Sequence, residues 1–259
     1  LNSTLDYRLS DWASDIYSRV DEFLALENRL ADHYSKETLL RVLTFHVTAN
    51  PEWYLNISRP YSTLYFRSGL LNFSDDERFV DCGASIGEST EALIGITQSK
   101  LQRIWMIEPD KFNIKTLQKL LRKYEPSHLH GKISLHPFAA GECDAEAYFH
   151  HMGGHGGLIS TVDNPALDKV EIRPIDSIID DTPTFIKMDI EGAELSALKG
   201  STAAIKAGLP KLAISAYHRS TDLLDIPAFL DAIAPGYKVG LRHHTEDRWD
   251  TCLYFYRDI

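Results

Sequence analysis

A glycine turn flanked by a carboxylate is the first segment whose residue types could do chemistry. Phe79–Glu88 reads FVDCGASIGE, an apolar run followed by Gly83, Ser85 and Gly87. We predict a buried strand, a tight turn and a helix start, because glycine lets a backbone approach a ligand without a Cβ in the way. Asp81 attracts a cationic group and repels a pyrophosphate, and Ser85 stands where a dinucleotide-binding turn has its second glycine. The turn therefore favours a ligand with a cationic end.

A second carboxylate follows the next predicted strand. Ile104–Ile107 is apolar and is followed by Glu108, 25 residues after Gly83. An acidic residue near that spacing accepts hydrogen bonds from the two hydroxyls of a ribose. The alternative is a surface carboxylate at a helix N-terminus. We assign Ala139, the last residue of the predicted strand ISLHPFA, to the same ligand site.

Several charges stand close together at the end of a later predicted strand. Residues 185–194 read FIKMDIEGAE, and strand alternation puts Lys187 and Asp189 on one side. Charges at the end of a central strand are costly to bury unless they are paired or functional. One interpretation is a salt bridge between Lys187 and a neighbouring acid. The other is a ligand site.

These strings together resemble a known family. FVDCGASIGEST, IEPD and FIKMDIEGAELSALKG occur in this order, and AISAYHRSTDLLDIPAFL and YKVGLRHHTEDRWDTCLYF follow. The sequence resembles the FkbM-type methyltransferases over about residues 79–257, although Cys82 stands where that family often has an aliphatic residue. The resemblance implies a class I Rossmann-like α/β fold, S-adenosylmethionine as donor and O-methylation of sugar or natural-product hydroxyls. We therefore assign the following residues to the cofactor: Asp81, Gly83, Ser85, Gly87, Glu108, Ala139 and Asp189.

Three residues are the candidates for catalysis. Asp189 is expected to make a polar contact to the acceptor, because the end of the fourth strand faces the transferred methyl group in this fold. His218 follows the predicted strand KLAIS, and an imidazole titrates near neutral pH, which suits a general base. Asp222 lies four residues further on and can orient that ring. The alternative for His218 is a hydrogen-bonded histidine at a strand end.

Further polar residues are candidates for binding the acceptor. Glu191 lies two residues after Asp189. Arg242 and His243 end the predicted strand YKVGLRH, and His244 follows directly. A guanidinium at this place suits a carboxylate or phosphate of the substrate. We assign Glu191, Arg242 and His243 to substrate binding.

A loop rich in glycine and histidine, HHMGGHGG, raises the question of a metal. His150, His151 and His155 lie in it, but it contains neither a cysteine nor an acid at ligand spacing. We expect a mobile flap on the acceptor side rather than a metal centre. A divalent ion held by Asp189 and Glu191, which would assist deprotonation of a hydroxyl, stays open.

The elements that must position these residues alternate between strand and helix. The predicted strands are RFVDCG, RIWMIEP, ISLHPFA, TFIKMDI, KLAISAY, YKVGLRH and TCLYFYR. Helical patterns fall at residues 89–96, 110–124, 193–198 and 221–233, and residues 148–172 resemble a short β-hairpin. This order predicts a mainly parallel seven-stranded sheet. We place the Rossmann-like domain at 71–259 and a helical N-terminal appendage at 1–70, with helices over about residues 12–30 and 35–50.

Composition and net charge limit the binding partners and the cellular compartment that we expect. The 259 residues carry a net charge of −10, which disfavours nucleic acid, and the three cysteines fit a reducing cytoplasm. No apolar run approaches the ~20 residues that span a bilayer. We expect a small-molecule or glycan acceptor and a homo-oligomer through the N-terminal helices. N-methylation of a small molecule, or a non-catalytic cofactor-binding module of a larger biosynthetic protein, stays an alternative, and a start at Leu1 permits the latter.

Overall fold

Helices and strands alternate along most of the chain. The computed structural model describes residues 9–160, 164 and 166–258. The α-helices of the described residues are α1 Leu9–Ser18, α2 Val20–Arg29, α3 His33–Thr48, α4 Glu52–Leu55, α5 Glu88–Ile96, α6 Lys111–Tyr124, α7 Glu194–Lys199, α8 Thr202–Gly208 and α9 Asp222–Ile233. Their strands are β1 Arg78–Cys82, β2 Arg103–Ile107, β3 Ile133–His136, β4 Ala139–Ala140, β5 Ala145–His150, β6 Leu158–Ser160, β7 Asp168–Arg173, β8 Phe185–Met188, β9 Lys211–Ser215, β10 Lys238–His243 and β11 Thr251–Tyr256.

The described residues form two compact units. One unit, which we call the central unit, comprises Phe73–Pro210. The other, the terminal unit, comprises the described parts of Leu5–Asn72 and Lys211–Ile259. The units do not test whether residues 1–70 form a separate domain, so that division stays a prediction.

The central unit is built on four parallel strands in the order β8-β1-β2-β3. Residues 79–82 and 185–188 are all buried, which explains the continuous apolar runs in the sequence. The pairing sets Asp81 opposite Lys187 and Cys82 opposite Met188. The carboxyl ends of β1, β2 and β8 therefore lie side by side, and their polar residues come together at one edge.

A second sheet of the central unit has the order β4-β7-β5-β6 among the described residues. The strand β5 pairs antiparallel with both β6 and β7. This sheet contains the predicted hairpin, although residues 161–163 and 165 of that segment lie outside the described residues. The glycine–histidine loop, which we define as residues 150–157, connects β5 to β6.

The terminal unit joins the N-terminal helices to β9, β10 and β11, whose order is β10-β11-β9 with antiparallel pairing. The backbone N–H of Ala31 donates to the carbonyl of Val239, and that of Arg59 donates to the carbonyl of His243. The helix predicted over residues 12–30 is interrupted at Arg19, whose φ and ψ are −122° and 27°. The guanidinium of Arg19 pairs there with Glu22 and Asp225.

The predicted fold class is confirmed. The chain is α/β, and the seven-stranded sheet is mostly parallel, with β11 as its antiparallel strand. Among the described residues, no helix is long and apolar enough to cross a membrane.

Candidate functional site

The turn after β1 requires glycine at two positions for packing. Gly83 has φ +79°, and a Cβ on it would lie 2.0 Å from the carbonyl oxygen of Asp189. Gly87 has φ +98°, and a Cβ there would lie 2.5 Å from Leu120 Cδ2 of α6. The glycines therefore let the turn approach the end of β8 and let the start of α5 approach α6. Their role in making room for a ligand stays a prediction.

Asp81 and Lys187 form a buried ion pair. The side chain of Asp81 is 0% exposed, and its Oδ1 lies 3.4 Å from Lys187 Nζ. Its Oδ2 accepts hydrogen bonds from the hydroxyls of Ser89 at 2.6 Å and Thr90 at 2.7 Å. Burial disfavours the charged ammonium, but Asp81 and Asp189 outweigh this effect, so that the pKa of Lys187 is raised. The salt-bridge interpretation of Lys187 is therefore correct.

Lys187 also holds the glycine turn. Its Nζ donates a hydrogen bond of 2.6 Å to the carbonyl oxygen of Gly83. The same ammonium therefore fixes the carboxylate of Asp81 and the backbone of the turn, which ties the end of β1 to β8. A ligand ammonium at Asp81 would have to share this carboxylate with Lys187.

Glu108 lies buried directly after β2, in contact with the turn. Its Oε2 accepts from the backbone N–H of Ser85 at 2.8 Å, and its Oε1 accepts from that of Asp110 at 2.9 Å. Burial raises the pKa of Glu108 to about 7, and hydrogen bonds from the Asp110 and Ser85 backbone and the Asn113 side chain limit the rise. The residue is 5% exposed, so it is not the surface carboxylate of the alternative interpretation.

Asp110 caps α6 and holds the glycine–histidine loop at the same time. Its Oδ1 accepts from the backbone N–H groups of Phe112 and Asn113 at the helix start. Its Oδ2 accepts from those of Met152 and Gly153 in the loop, at 2.9 and 3.0 Å. One carboxylate therefore satisfies four backbone donors and fixes the loop to the start of α6.

The glycine–histidine loop also contacts the glycine turn. Asn113 and Gly154 form a reciprocal pair, in which Nδ2 donates to the Gly154 carbonyl at 2.8 Å and Oδ1 accepts from its N–H at 2.7 Å. Ser85 Oγ donates to the same carbonyl at 3.0 Å. The loop thus lies beside Ser85, in the cofactor part of the predicted site. Our expectation that the loop is a mobile flap on the acceptor side stays a prediction.

The histidines of this loop have separate partners. Nδ1 of His151 accepts from the backbone N–H of Lys111 at 3.1 Å, and its Nε2 lies 3.4 Å from Asp168. His155 is exposed and lies 3.3 Å from Glu88. His150 is also exposed. These contacts hold the loop and do not gather the three rings around one point.

The turn after β8 is strained and rests on a buried acid. Glu191 has φ +57° and Gly192 has φ +90°. Left-handed backbone at a non-glycine residue is costly and is frequent at functional sites. Glu194 is fully buried at the start of α7, and its Oε1 accepts from the N–H of Ile190 at 2.8 Å. The acid therefore fixes the backbone next to Asp189, which is half-buried.

Ala139 lies in the second sheet of the central unit. It is buried in β4, where it pairs with Ile172 of β7. Its predicted contact to the cofactor stays a prediction.

His218 and Asp222 lie buried after β9 in the terminal unit. The ring of His218 packs at a tilt against Tyr217, with centroids 4.0 Å apart. Asp222 begins α9, and its Oδ2 accepts from the backbone N–H of Arg219 at 3.0 Å. This bond closes the turn between the two residues. Their roles as base and orienting acid stay predictions.

Arg242 is buried and paired within the terminal unit. Its NH2 group lies 2.7 Å from Asp32 Oδ2, and its NH1 group donates to Ser35 Oγ at 2.7 Å. Its guanidinium also lies over the ring of Tyr34, with its carbon 4.9 Å from the ring centroid. These contacts join β10 to the start of α3, which gives Arg242 a structural role without any substrate.

The two histidines after Arg242 are buried as well. Nδ1 of His243 lies 2.8 Å from Thr251 Oγ1, and its ring stacks on Tyr54. Burial lowers the pKa of His243 to about 4 and that of His244 to about 3. Both rings are therefore neutral at pH 7. The predicted substrate contacts of Arg242 and His243 stay predictions, although each residue already has partners inside the unit.

Sequence reasoning missed three residues of this arrangement. Asp110 and Asn113 hold the glycine–histidine loop, and Glu194 fixes the turn after β8. Asp110 was interpreted only as part of a helix start, and that signal was correct because aspartate is a preferred N-cap. Its second set of partners comes from residues 152 and 153, which no local pattern connects to it.

The fold and this edge of polar residues define the class of the protein. A mostly parallel α/β sheet with a glycine turn after its first strand and an acid after its second is a Rossmann-like arrangement. The model of the Methyltransferase FkbM domain matches residues 81–239. The chain belongs to the FkbM methyltransferase family, as the resemblance predicted.

Solved structures agree with this assignment. The crystal structure of the methyltransferase FkbM from Methylobacillus flagellatus KT is 56% identical, has a TM-score of 0.85 and covers 95% of this chain. The match covers 61% of that protein, so the chain spans less than two thirds of its length.

More distant structures have lower sequence identity and lower TM-scores. Precorrin-6y C5,15-methyltransferase from Geobacter metallireducens GS-15 has 12% identity and a TM-score of 0.44, with 79% of this chain and 96% of that chain covered. Aeropyrum pernix fibrillarin, in complex with natively bound S-adenosyl-L-methionine, has 12% identity and a TM-score of 0.42, with 73% and 70% covered. The comparison with curated proteins gives no match.

Proposed function

We propose that the chain transfers a methyl group from S-adenosylmethionine to a hydroxyl group of a sugar, glycan or natural product. The observation that carries the proposal is the carboxylate of Glu108. It is buried at the end of β2, and two backbone N–H groups fix it next to the turn after β1. A ribose bound in that crevice of an α/β sheet is recognised by an acid at this place.

The residues at this edge fit the cofactor. An ionised carboxylate offers about four lone pairs. The backbone N–H groups of Ser85 and Asp110 and the side chain of Asn113 use three of them, which leaves one on the carboxylate for a ribose hydroxyl. Asp81 fits less simply, because Lys187 already neutralises it. Of the cofactor assignments, a direct contact between Asp81 and the ammonium has the least support.

The bound cofactor would supply a methyl group on a positively charged sulfur, which becomes a neutral thioether when the acceptor oxygen takes the methyl carbon. The chain must orient the acceptor hydroxyl and remove its proton. We assign the orientation to Asp189, whose own N–H donates to the carbonyl of Cys82 and whose neighbour Ile190 donates to Glu194. We assign removal of the proton to His218, with Asp222 closing the turn that carries it.

A product analysis tests this proposal. The protein is incubated with S-adenosylmethionine and, in separate reactions, three methyl glycosides and three primary amines, and S-adenosylhomocysteine formation is followed. The proposal expects methyl ethers from a glycoside and no methylated amine. If only amines are methylated, the chain is an N-methyltransferase. If the protein binds the cofactor but none of the glycosides and amines yields S-adenosylhomocysteine, the assignment of a sugar-like acceptor is wrong.

A further inference from the structure

Tyr65 has a backbone conformation that an aromatic residue rarely adopts. Its φ is +62°, in the left-handed region, although the residue carries a bulky side chain. It lies in the segment 58–68 of the terminal unit and is buried. Such strain persists only where the surroundings impose it, and it is concentrated at functional sites.

A buried chain of hydrogen bonds holds the backbone of Tyr65. Its N–H donates to the hydroxyl oxygen of Tyr254 at 3.1 Å. That hydroxyl lies 3.0 Å from Nε2 of His244, and Nδ1 of His244 lies 3.1 Å from Thr63 Oγ1. The Thr63 hydroxyl donates its proton to the carbonyl of Pro60 at 2.7 Å.

The last bond sets the direction of the others. Because the Thr63 hydroxyl donates its only proton to the Pro60 carbonyl, its oxygen must accept from the N–H at Nδ1 of His244. Nε2 then carries the lone pair and accepts from the Tyr254 hydroxyl, whose oxygen accepts from Tyr65. This arrangement needs a neutral ring, and burial keeps His244 neutral by lowering its pKa to about 3. The chain of bonds thus pins the segment at Pro60 and at Tyr65.

The hydroxyl of Tyr65 lies at the carboxyl end of a sheet strand. It is 3.4 Å from Ser215 Oγ, and Ser215 is the last residue of β9. Ligands of open α/β sheets bind beyond the carboxyl ends of the strands. Ser215 lies three residues before His218. The hydroxyls of Tyr65 and Ser215 can each donate and accept hydrogen bonds.

We propose that Tyr65 and Ser215 bind a hydroxyl group of the methyl acceptor, and that His244 and Tyr254 position Tyr65 for this contact. The proposal rests on the proposed function, because it supplies a binding point for the sugar-like acceptor. A tyrosine that is held rigidly loses little side-chain entropy when its hydroxyl binds a polyol. The strain at Tyr65 is then the cost of placing its hydroxyl beside Ser215.

The test uses the whole chain with tyrosine labelled by ¹³C at Cζ. The NMR signal of Tyr65 is the one that is missing from the variant Tyr65→Phe. The protein is titrated with methyl α-D-glucopyranoside, methyl α-D-mannopyranoside and methyl α-L-fucopyranoside. The matched control is Tyr237→Phe, which removes the hydroxyl of another buried tyrosine of the same unit, one whose ring packs edge-on against Phe255.

At least one glycoside should shift the Tyr65 signal. Tyr65→Phe should weaken its binding roughly 10-fold, the usual effect of losing one buried hydrogen bond, and Tyr237→Phe should leave it within about twofold. Tyr254→Phe keeps a ring in place but removes the acceptor of the Tyr65 N–H. It should weaken glycoside binding several-fold and leave the affinity for S-adenosylhomocysteine unchanged.

Two results overturn the proposal: no glycoside shifts the Tyr65 signal, or Tyr65→Phe and the wild type bind the glycosides equally well. Failure of the proposed function shows separately, as an absence of S-adenosylhomocysteine binding to the wild type. Thermal unfolding of each variant identifies a loss of folding. If Tyr65→Phe does not fold, Ser215→Ala takes its place: it removes the second hydroxyl of the site and should weaken glycoside binding to a similar extent, and unchanged binding overturns the proposal.

Discussion

The two units stabilise their buried polar groups in different ways. In the central unit, Glu108, Asp110 and Glu194 accept hydrogen bonds from backbone N–H groups at the ends of strands and the starts of helices. In the terminal unit, Arg242 and His244 are held mainly by other side chains, such as Asp32 and Tyr254. A carboxylate on backbone donors keeps lone pairs for a ligand, whereas a histidine between two hydroxyls has used both nitrogens.

This difference separates groups that can serve a ligand from groups that serve the fold. The pKa of Glu108 is raised to about 7, so its charge changes within the physiological range. The pKa of His243 is lowered to about 4 by burial, so that ring stays neutral. The residue types alone suggest that the histidine and not the glutamate changes charge near pH 7, because histidine is the residue that ordinarily titrates near neutral pH.

The largest expected effect concerns the one histidine that we place in the chemistry. His218→Ala should lower the rate of methyl transfer to a glycoside by ~10²–10⁴-fold, the usual contribution of a positioned general base. The control His46→Ala should lower the melting temperature, because it removes the stack of this buried ring on Trp12, and should keep near-normal turnover. Initial rates and thermal melts measure both. If the two variants behave alike, the distinction between the histidines is wrong.

The next effect tests the packing of the glycine turn. Gly83→Ala should lower the free energy of unfolding by about 3 kcal/mol, because overpacking and left-handed strain each cost 1–3 kcal/mol. Gly95→Ala is the control. Gly95 lies in α5 with no atom within 4 Å of its Cβ position, so alanine should stabilise the helix by up to about 1 kcal/mol. Urea denaturation gives both values. Equal stability of the two variants would show that the turn does not need glycine at position 83.

A smaller effect concerns the ionisation of Glu108. The ionised carboxylate accepts ribose hydroxyls better than the acid does, so affinity for S-adenosylmethionine should rise with pH and level off above about 7. Between pH 6 and pH 8 the change should be roughly 10-fold, because each pH unit below a pKa costs up to a factor of ten. Glu108→Gln should bind more weakly and lose this pH dependence. A pH profile that persists in Glu108→Gln would assign the ionisation to another group.

The last prediction is that removal of metal ions leaves the rate of methyl transfer unchanged. We expect turnover without a tightly bound transition metal, so incubation with EDTA followed by gel filtration should leave the rate of methyl transfer within error. The untreated protein passed over the same column is the control. A loss of activity that magnesium or manganese restores would give Asp189 and Glu191 a metal-binding role.

Much of the fold could be predicted from local patterns. The strand β1, the glycine turn and the start of α5 follow from FVDCGASIGE, and α6 was expected within one residue of its observed start at Lys111. The break at Arg19 was missed because the apolar spacing continues through it. Periodicity reports which face is buried and does not report whether the backbone stays helical.

The residues of the site could be predicted from the sequence, but the groups that these residues contact could not. The sequence predicts a glycine at position 83 for the sake of a ligand, and the structure places Asp189, directly after β8, against this position. Arg242 was expected to bind substrate, and it pairs with Asp32, far away in the sequence. Such partners depend on tertiary contacts that one sequence does not show. The strain at Tyr65 has no sequence signal at all, because tyrosine ordinarily avoids positive φ.

The most direct test of the central claim is a calorimetric titration of the wild type with S-adenosylmethionine, S-adenosylhomocysteine and NADH. The account predicts that the first two bind at one site and that NADH does not bind. Glu108→Ala should reduce the affinity for both by roughly 2–4 kcal/mol, because hydrogen bonding of the ribose to a charged acceptor is lost. Binding of NADH without binding of the sulfonium cofactor would contradict the account.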